Sequence, residues 1–191
     1  MPEPDPASEP SSLFLVATRQ VQGPFFAESV VLLIHHNQGG AMGLILNRPS
    51  AMQIADLLPA LGKKTAPDDA LYVGGPVDPS QMIFLLRREN PPAGALPILS
   101  DVYATSDASV LQEFVKGRLS KTHFHAYVGY AGWGPGQLDA EIARGDWLIG
   151  PAEAKTIFDS NVKNIWQRLL AELEGVQVRI YEESVSRLQA G

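Results

Sequence analysis

Ser29-Val30-Val31-Leu32-Leu33-Ile34-His35-His36-Asn37-Gln38-Gly39-Gly40-Ala41-Met42-Gly43-Leu44-Ile45-Leu46 is the stretch on which the fold turns. Two apolar runs flank an Asn-Gln-Gly-Gly reversal, and Asn and Gly tolerate the positive φ that a tight turn demands. The stretch therefore reads as a β-hairpin, with strands over 29–34 and 41–46 joined through 36–40. Val30 to Ile34 are apolar at consecutive rather than alternate positions. A sheet with one wet face alternates, so this strand implies a sheet covered on both faces by helices or a second layer.

Outward from the hairpin, other short aliphatic runs bounded by Gly, Pro and Asn read as strands: 13–16, 70–73, 82–86, 123–130 and 147–149. Val162, Ile165, Trp166, Leu169, Leu170 and Leu173 recur at three-four spacing and predict a core-facing helix ended by Gly175. A second helix is expected over 107–116, capped by Ser106 or Asp107, with Val110, Leu111, Phe114 and Val115 inward and Gly117 just past its end. A third is expected to begin at Pro151 with Glu153 in its first turn, and shorter ones over 51–58 and 137–144. This interleaving of strands and helices indicates one mixed α/β or α+β domain.

Residues 1–12 hold four prolines and three acids and are read as a disordered tail, with 13–191 forming the single domain. The chain of 191 residues is 45% hydrophobic, enough for a continuous core. Its formal charge is −6, half of it on the tail, so no basic field draws it to nucleic acid, and direct DNA binding is disfavoured. The absence of cysteine removes thiolate catalysis, disulfides and cysteine-ligated metal sites. Neither a spanning apolar run nor a secretory leader is evident, so the expectation is a cytoplasmic protein away from membranes.

Three constellations could carry chemistry. Gly129-Tyr130-Ala131-Gly132-Trp133-Gly134-Pro135-Gly136 runs from a strand into a helix, where backbone N–H groups can hold an anion, but it lacks P-loop spacing and Pro135 has no N–H. A turn with Trp133 capping the core is the simpler reading. The pairs His35-His36 and His123-x-His125 make no complete ligand set, since no acid stands at fixed spacing, so neither metal nor cofactor is expected. Asn47-Arg48-Pro49 closes a strand, and its guanidinium suits a carboxylate or phosphate, unless Asn47 ties the strand end to a loop and Arg48 pairs with Asp139, Glu141 or Asp146. There is no Gly-x-Ser-x-Gly elbow, and Ser29 near His36 has no acid placed with it, so no catalytic residue is assigned.

The segment Gly40 to Pro49 resembles the YqgE/AlgH family of bacterial proteins. Leu71-Tyr72-Val73-Gly74-Gly75-Pro76-Val77, the run Tyr127 to Gly136 with Gln137-Leu138, and Gly145-Asp146-Trp147-Leu148 resemble its further motifs, in order, over about 13–173. Asp139 departs from the longer acid expected there, and the proline-rich tail is extra. The resemblance implies a bifurcated mixed β-sheet, part of it a small closed barrel, surrounded by helices. It also implies a label of transcriptional regulator without an established enzymatic activity.

Together these readings favour a non-catalytic module whose surface, built from Asn47, Arg48, Gly74, Gly75, Gly132, Trp133, Gly134 and Gly136, binds a protein partner or small anionic ligand and affects gene expression indirectly. The alternative is an enzyme on a phosphorylated or acidic metabolite, with Arg48 and the glycine loop gripping the anion and Asp139, Glu141 or His36 moving protons.

Overall fold

The computed structural model describes residues 12–52, 54, 71–120 and 122–189, with side chains through 177. The expected tail, apart from Ser12, and most of the expected 51–58 helix lie outside them. Nine strands form one sheet: β1 (Leu13–Ala17), β2 (Val30–Asn37), β3 (Gly40–Ile45), β4 (Leu71–Val73), β5 (Val77–Arg87), β6 (Leu96–Leu99), β7 (Val102–Thr105), β8 (Phe124–Trp133) and β9 (Trp147–Pro151). Four described helices complete it: α1 (Ser109–Val115), α2 (Gln137–Ala143), α3 (Ala154–Ile157) and α4 (Val162–Gln189). The protein is a mixed α+β single domain.

The opening hairpin forms, but with a tighter turn than the expected 36–40 connection: β2 continues through Asn37 and β3 starts at Gly40. Asn37 pairs with Gly40 across the turn, and the Asn37 side chain accepts the Gly39 N–H at 2.8 Å. The strand order is β6-β7-β5-β8-β3-β2-β1-β9, with β4 alongside β8 off that path. All the pairings are antiparallel except β4 with β8. The path ends at β6 and at β9, so the expected small closed barrel is not supported.

The consecutive apolar positions of β1 and β2 are explained by burial on both faces. Phe14, Val16, Val30 and Leu32 enter one cluster beneath α4, whereas Leu15, Ala17 and Val31 enter another on the opposite face with Trp133, Leu138 and Trp147. A third cluster joins Phe84, Leu86, Phe124 and Ala126 to α1 through Val110, Leu111 and Phe114. The helical stripe at 162–170 packs as expected, and Trp166 Nε1 donates to the Ala17 carbonyl at 2.8 Å.

Several elements differ from expectation. Helix α4 continues through Gly175, which is exposed and meets no heavy atom at its Cβ position; a glycine in a solvated helix interior costs about 1 kcal/mol and does not end the helix by itself. Pro151 closes β9 instead of opening a helix, and α3 starts after Glu153. Strands β6 and β7 form where no strand is expected from the hydrophobic pattern.

Strand β8 is the branch of the sheet. One edge pairs with β5, while its other edge meets β4 along 126–128 and β3 along 131–133. Between those partners side-chain parity slips: Phe124 and Ala126 lie in the α1 cluster and Tyr127 opposite, yet Tyr130 joins the Tyr127 side and Ala131 and Trp133 the other. Gly129 sits at the slip with φ +67°, which favours glycine.

Candidate functional site

Asn47 is buried at the end of the third-strand segment. Its Oδ1 accepts the Val30 N–H at 2.9 Å, and its Nδ2 donates to the Glu28 carbonyl at 2.8 Å, so it ties strand β2 to the loop before it. Arg48 is half-buried, and its guanidinium donates to the Ala27 and Asn47 carbonyls. Burial pulls its pKa below the usual guanidinium value, opposed by the nearby Glu28 carboxylate. The carboxylates expected to pair with Arg48 go elsewhere: Asp139 to His36 at 3.2 Å, Asp146 to Arg144 at 2.6 Å, and Glu141 to two indoles.

Gly74 and Gly75 are buried where β4 crosses the branch. A Cβ on Gly74 would meet the Gly129 carbonyl, and one on Gly75 the backbone of Tyr130 and Ala131. Their glycine character serves strand-on-strand approach. In the loop before α2, Gly134 N–H donates to Gln137 Oε1 at 3.0 Å and its carbonyl accepts Gln137 N–H at 3.1 Å. Gly136 precedes α2 with φ +69°. Gly132, Gly134 and Gly136 are exposed and Trp133 is buried.

The histidines do not converge either. His123 Nδ1 lies 2.8 Å from Ser120 Oγ and 2.9 Å from Thr122 Oγ1, while His125 points into the core. Among the described residues no group of three or more His, Cys, Asp or Glu could hold a metal ion. Ser29 Oγ donates to the Phe26 carbonyl at 2.8 Å.

What the fold does bring together is a cleft of about 380 Å³ beneath the start of α4. Its floor is aromatic: Tyr72, His125 and Phe158 are 4%, 3% and 6% exposed, with the His125 ring 4.7 Å from Tyr72 and 5.2 Å from Phe158 between centroids. Behind it, Tyr127 stacks on Tyr72 at 5.5 Å, and its hydroxyl lies 3.4 Å from His125 Nδ1. Complete burial, with Tyr72 adding to it, pushes the Tyr127 phenol well above its ordinary pKa, so that hydroxyl keeps its proton. The rim carries Thr122, Ser160, Asn161 and Lys163, all exposed. The Asp159 carboxylate nearby is already committed, accepting the Asn161 N–H at 2.8 Å and pairing with Arg168 at 3.0 Å.

This cleft is lined by two of the motif segments, through Pro49 and Tyr72, and by His125, which lies on β8 two residues before the third. The residues chosen from the sequence at those regions, Arg48, Gly74 and Gly75, are its neighbours in the chain and not its lining. A second cleft, on the opposite face of the sheet, is lined by Gly132 and Trp133 together with Glu141 and Trp147.

A family model described as AlgH-like matches residues 14–177 of this chain. The chain belongs to the AlgH-like family. A UPF0301 protein of Methylococcus capsulatus is 37% identical over 170 residues, covering 87% of this chain and 93% of the relative. A UPF0301 protein of Chlamydia caviae is 35% identical over 167 residues, covering 87% of each. The solution structure of AlgH from Pseudomonas aeruginosa superimposes with TM-score 0.70 at 29% identity, over 95% of this chain and 97% of that one. A crystal structure of a Corynebacterium diphtheriae protein shares the fold, with TM-score 0.66 at 22% identity over 88% of each chain. In this AlgH-like chain the first three motif segments fall on β3 and the residues after it, on β4 and on β8, the strands that meet at the branch of the sheet, and the fourth enters β9. No described helix is long and apolar enough to cross a membrane.

Proposed function

We propose that this AlgH-like protein is a non-catalytic cytoplasmic binding module that takes a small anionic ligand in the Tyr72–His125 cleft and so affects gene expression indirectly. The observation that carries the reading is one cavity where two separated motif segments, at Pro49 and Tyr72, meet His125 of β8 over an aromatic floor backed by Tyr127, with a cationic rim at Lys163. An aromatic floor with a few convergent polar groups is the usual make-up of a small-ligand site. Asn47, Arg48, Gly74 and Gly75 would serve it from behind, fixing the chain segments that present Pro49 and Tyr72. Gly132, Gly134 and Gly136 are exposed on the other face, with Trp133 buried beneath them, and a protein partner would dock over them.

The enzyme alternative requires Arg48, the glycine loop, Asp139, Glu141 and His36 to share a pocket. Arg48 lines neither cleft, Glu141 lines the second, and His36 and Asp139 pair at the surface, so nothing in this arrangement favours it. Native mass spectrometry of the protein purified gently from its host tests the proposal. A stoichiometric added mass of metabolite size, lost in Lys163→Glu, is the expected result. A bare chain mass would refute the small-ligand reading, and a mass retained by Lys163→Glu would move the ligand out of this cleft.

A further inference from the structure

The second cleft, on the face away from α4, has the opposite electrostatic character. Phe26, Trp133 and Trp147 form a triangle of rings with centroids 6.1, 6.0 and 6.0 Å apart, at interplanar angles of 43°, 89° and 79°. Both indole N–H groups donate to the same oxygen, Glu141 Oε2, at 2.8 Å from Trp133 and 2.9 Å from Trp147. Gln137 Nε2 donates to the other oxygen at 2.9 Å. The carboxylate is thus held in place by three neutral donors, and among the described residues it has no ion pair. The cleft's second carboxylate, Asp146, is matched by Arg144 at 2.6 Å and by the Gln20 amide at 3.1 Å. One negative charge therefore remains in a cavity of about 310 Å³ whose polar lining of Gln20, Gln22 and Gln137 meets the outer parts of Phe26, Trp133 and Trp147, the two indoles being 6% and 4% exposed.

That combination selects among ligands. An anion meets Glu141 with no free cation to receive it. A compact metal ion would want several carboxylate or imidazole ligands, which are not assembled here, and three N–H donors already occupy Glu141. A bulky, weakly hydrated organic cation needs none of these: it gains from a carboxylate at short range without displacing that carboxylate's hydrogen bonds, and its alkyl groups cover the accessible parts of Phe26 and the two indoles. The indole N–H bonds to Glu141 also shift electron density into the Trp133 and Trp147 rings, which strengthens their attraction for a cation.

We propose that the Phe26–Trp133–Trp147–Glu141 cleft binds a small alkylammonium cation of the choline class. Trp133 and Trp147 are two of the chain's three tryptophans, so the intact protein reports binding by its own fluorescence. Titration with choline chloride, at ionic strength held constant with sodium chloride, should give a saturable change. The neutral isostere 3,3-dimethylbutan-1-ol should give none. Glu141→Gln should weaken choline binding by about tenfold or more, because it removes the one unmatched charge. Since Glu141 also pins both indoles, Asp146→Asn provides the second variant: it leaves those bonds in place, makes the cleft one unit more positive and should weaken binding in the same direction. Co-sedimentation with phosphatidylcholine vesicles separates a lipid headgroup from a free solute as the source. An unsaturable response to choline, an equal response to the alcohol, or unchanged choline affinity in both folded variants would overturn the proposal.

Discussion

Asn47 offers the clearest separation of an architectural role from a binding one. Substitution by alanine removes the acceptor of the buried Val30 N–H and the donor to the Glu28 carbonyl. A buried donor left without a partner costs about 1–3 kcal/mol, and the half-exposed carbonyl, partly reachable by water, roughly 1 more. Asn47→Ala should therefore lose about 2–4 kcal/mol, a large share of the 5–15 kcal/mol typical of a domain. With a urea m-value of about 2–3 kcal/mol/M, the unfolding midpoint should fall by roughly 1 M at unchanged m. Asn47→Asp keeps the acceptor for Val30 but turns a second oxygen toward the Glu28 carbonyl. It should do no better than alanine at neutral pH, and recover toward the wild type in acid as the carboxyl gains a proton to donate. Urea unfolding followed by fluorescence and far-UV dichroism measures all three proteins. An alanine variant that unfolds at the wild-type midpoint while losing its ligand or partner would refute the reasoning and return Asn47 to the binding surface.

Gly75→Ala should be far more damaging than Gly136→Ala. The first drives a Cβ into the backbone of Tyr130 and Ala131, where no side chain can yield, and should reach or pass the upper end of the 1–3 kcal/mol typical of overpacking, about 3 kcal/mol. The second meets open space and pays only for its φ of +69°, about 1–2 kcal/mol, so equal denaturation midpoints for the two would contradict the close-approach account. Before α1, Asp107 accepts the Ser109 N–H at 2.9 Å and its hydroxyl at 2.7 Å, and these bonds hold its carboxyl pKa below the ordinary value. A depressed folded pKa adds stability that is fully present above the unfolded value, about 3.9, and is lost as pH falls through the folded one. The stability difference between wild type and Asp107→Ala should thus narrow in acid, and a difference constant from pH 7 down to pH 2 would rule this out.

Much of the architecture is legible because hydrophobic pattern dictates it. Val30 to Ile34 announce a sheet buried on both faces, and the two clusters on either side of β1 and β2 are that reading made physical. The stripe from Val162 to Leu170 does the same for α4. Two of the failures, at β6 and at the start of α3, share a cause in proline. Pro97 in β6 and Pro151 in β9 both lie in strands at the ends of the sheet path, where a missing N–H breaks no ladder, and Pro79 lies in the irregular part of β5. Taken as a breaker, proline hides β6, and taken as a helix starter it displaces α3. Local composition does not report whether a strand is central or at an edge, and that is what decides the outcome.

The site is less legible for a different reason. A glycine-rich motif signals that something approaches the backbone closely, but a phosphate and a neighbouring strand make the same demand. Here the strand accounts for Gly74, Gly75 and Gly129, because β8 must pass from β4 to β3 along one edge while keeping β5 on the other. Arg48 presents the same ambiguity, since carbonyls satisfy a guanidinium as a ligand carboxylate would, and Ala27 supplies one from a segment twenty-one residues earlier. The informative residues are the large polar aromatics beside the glycines. Tyr72 stands two positions before Gly74 and Tyr127 two before Gly129, and the paired strands stack them at 5.5 Å. Glycines that let two strands close together also bring their flanking rings into contact, so in this fold the junction builds the aromatic floor of the cleft, and the motif marks that cleft by one remove.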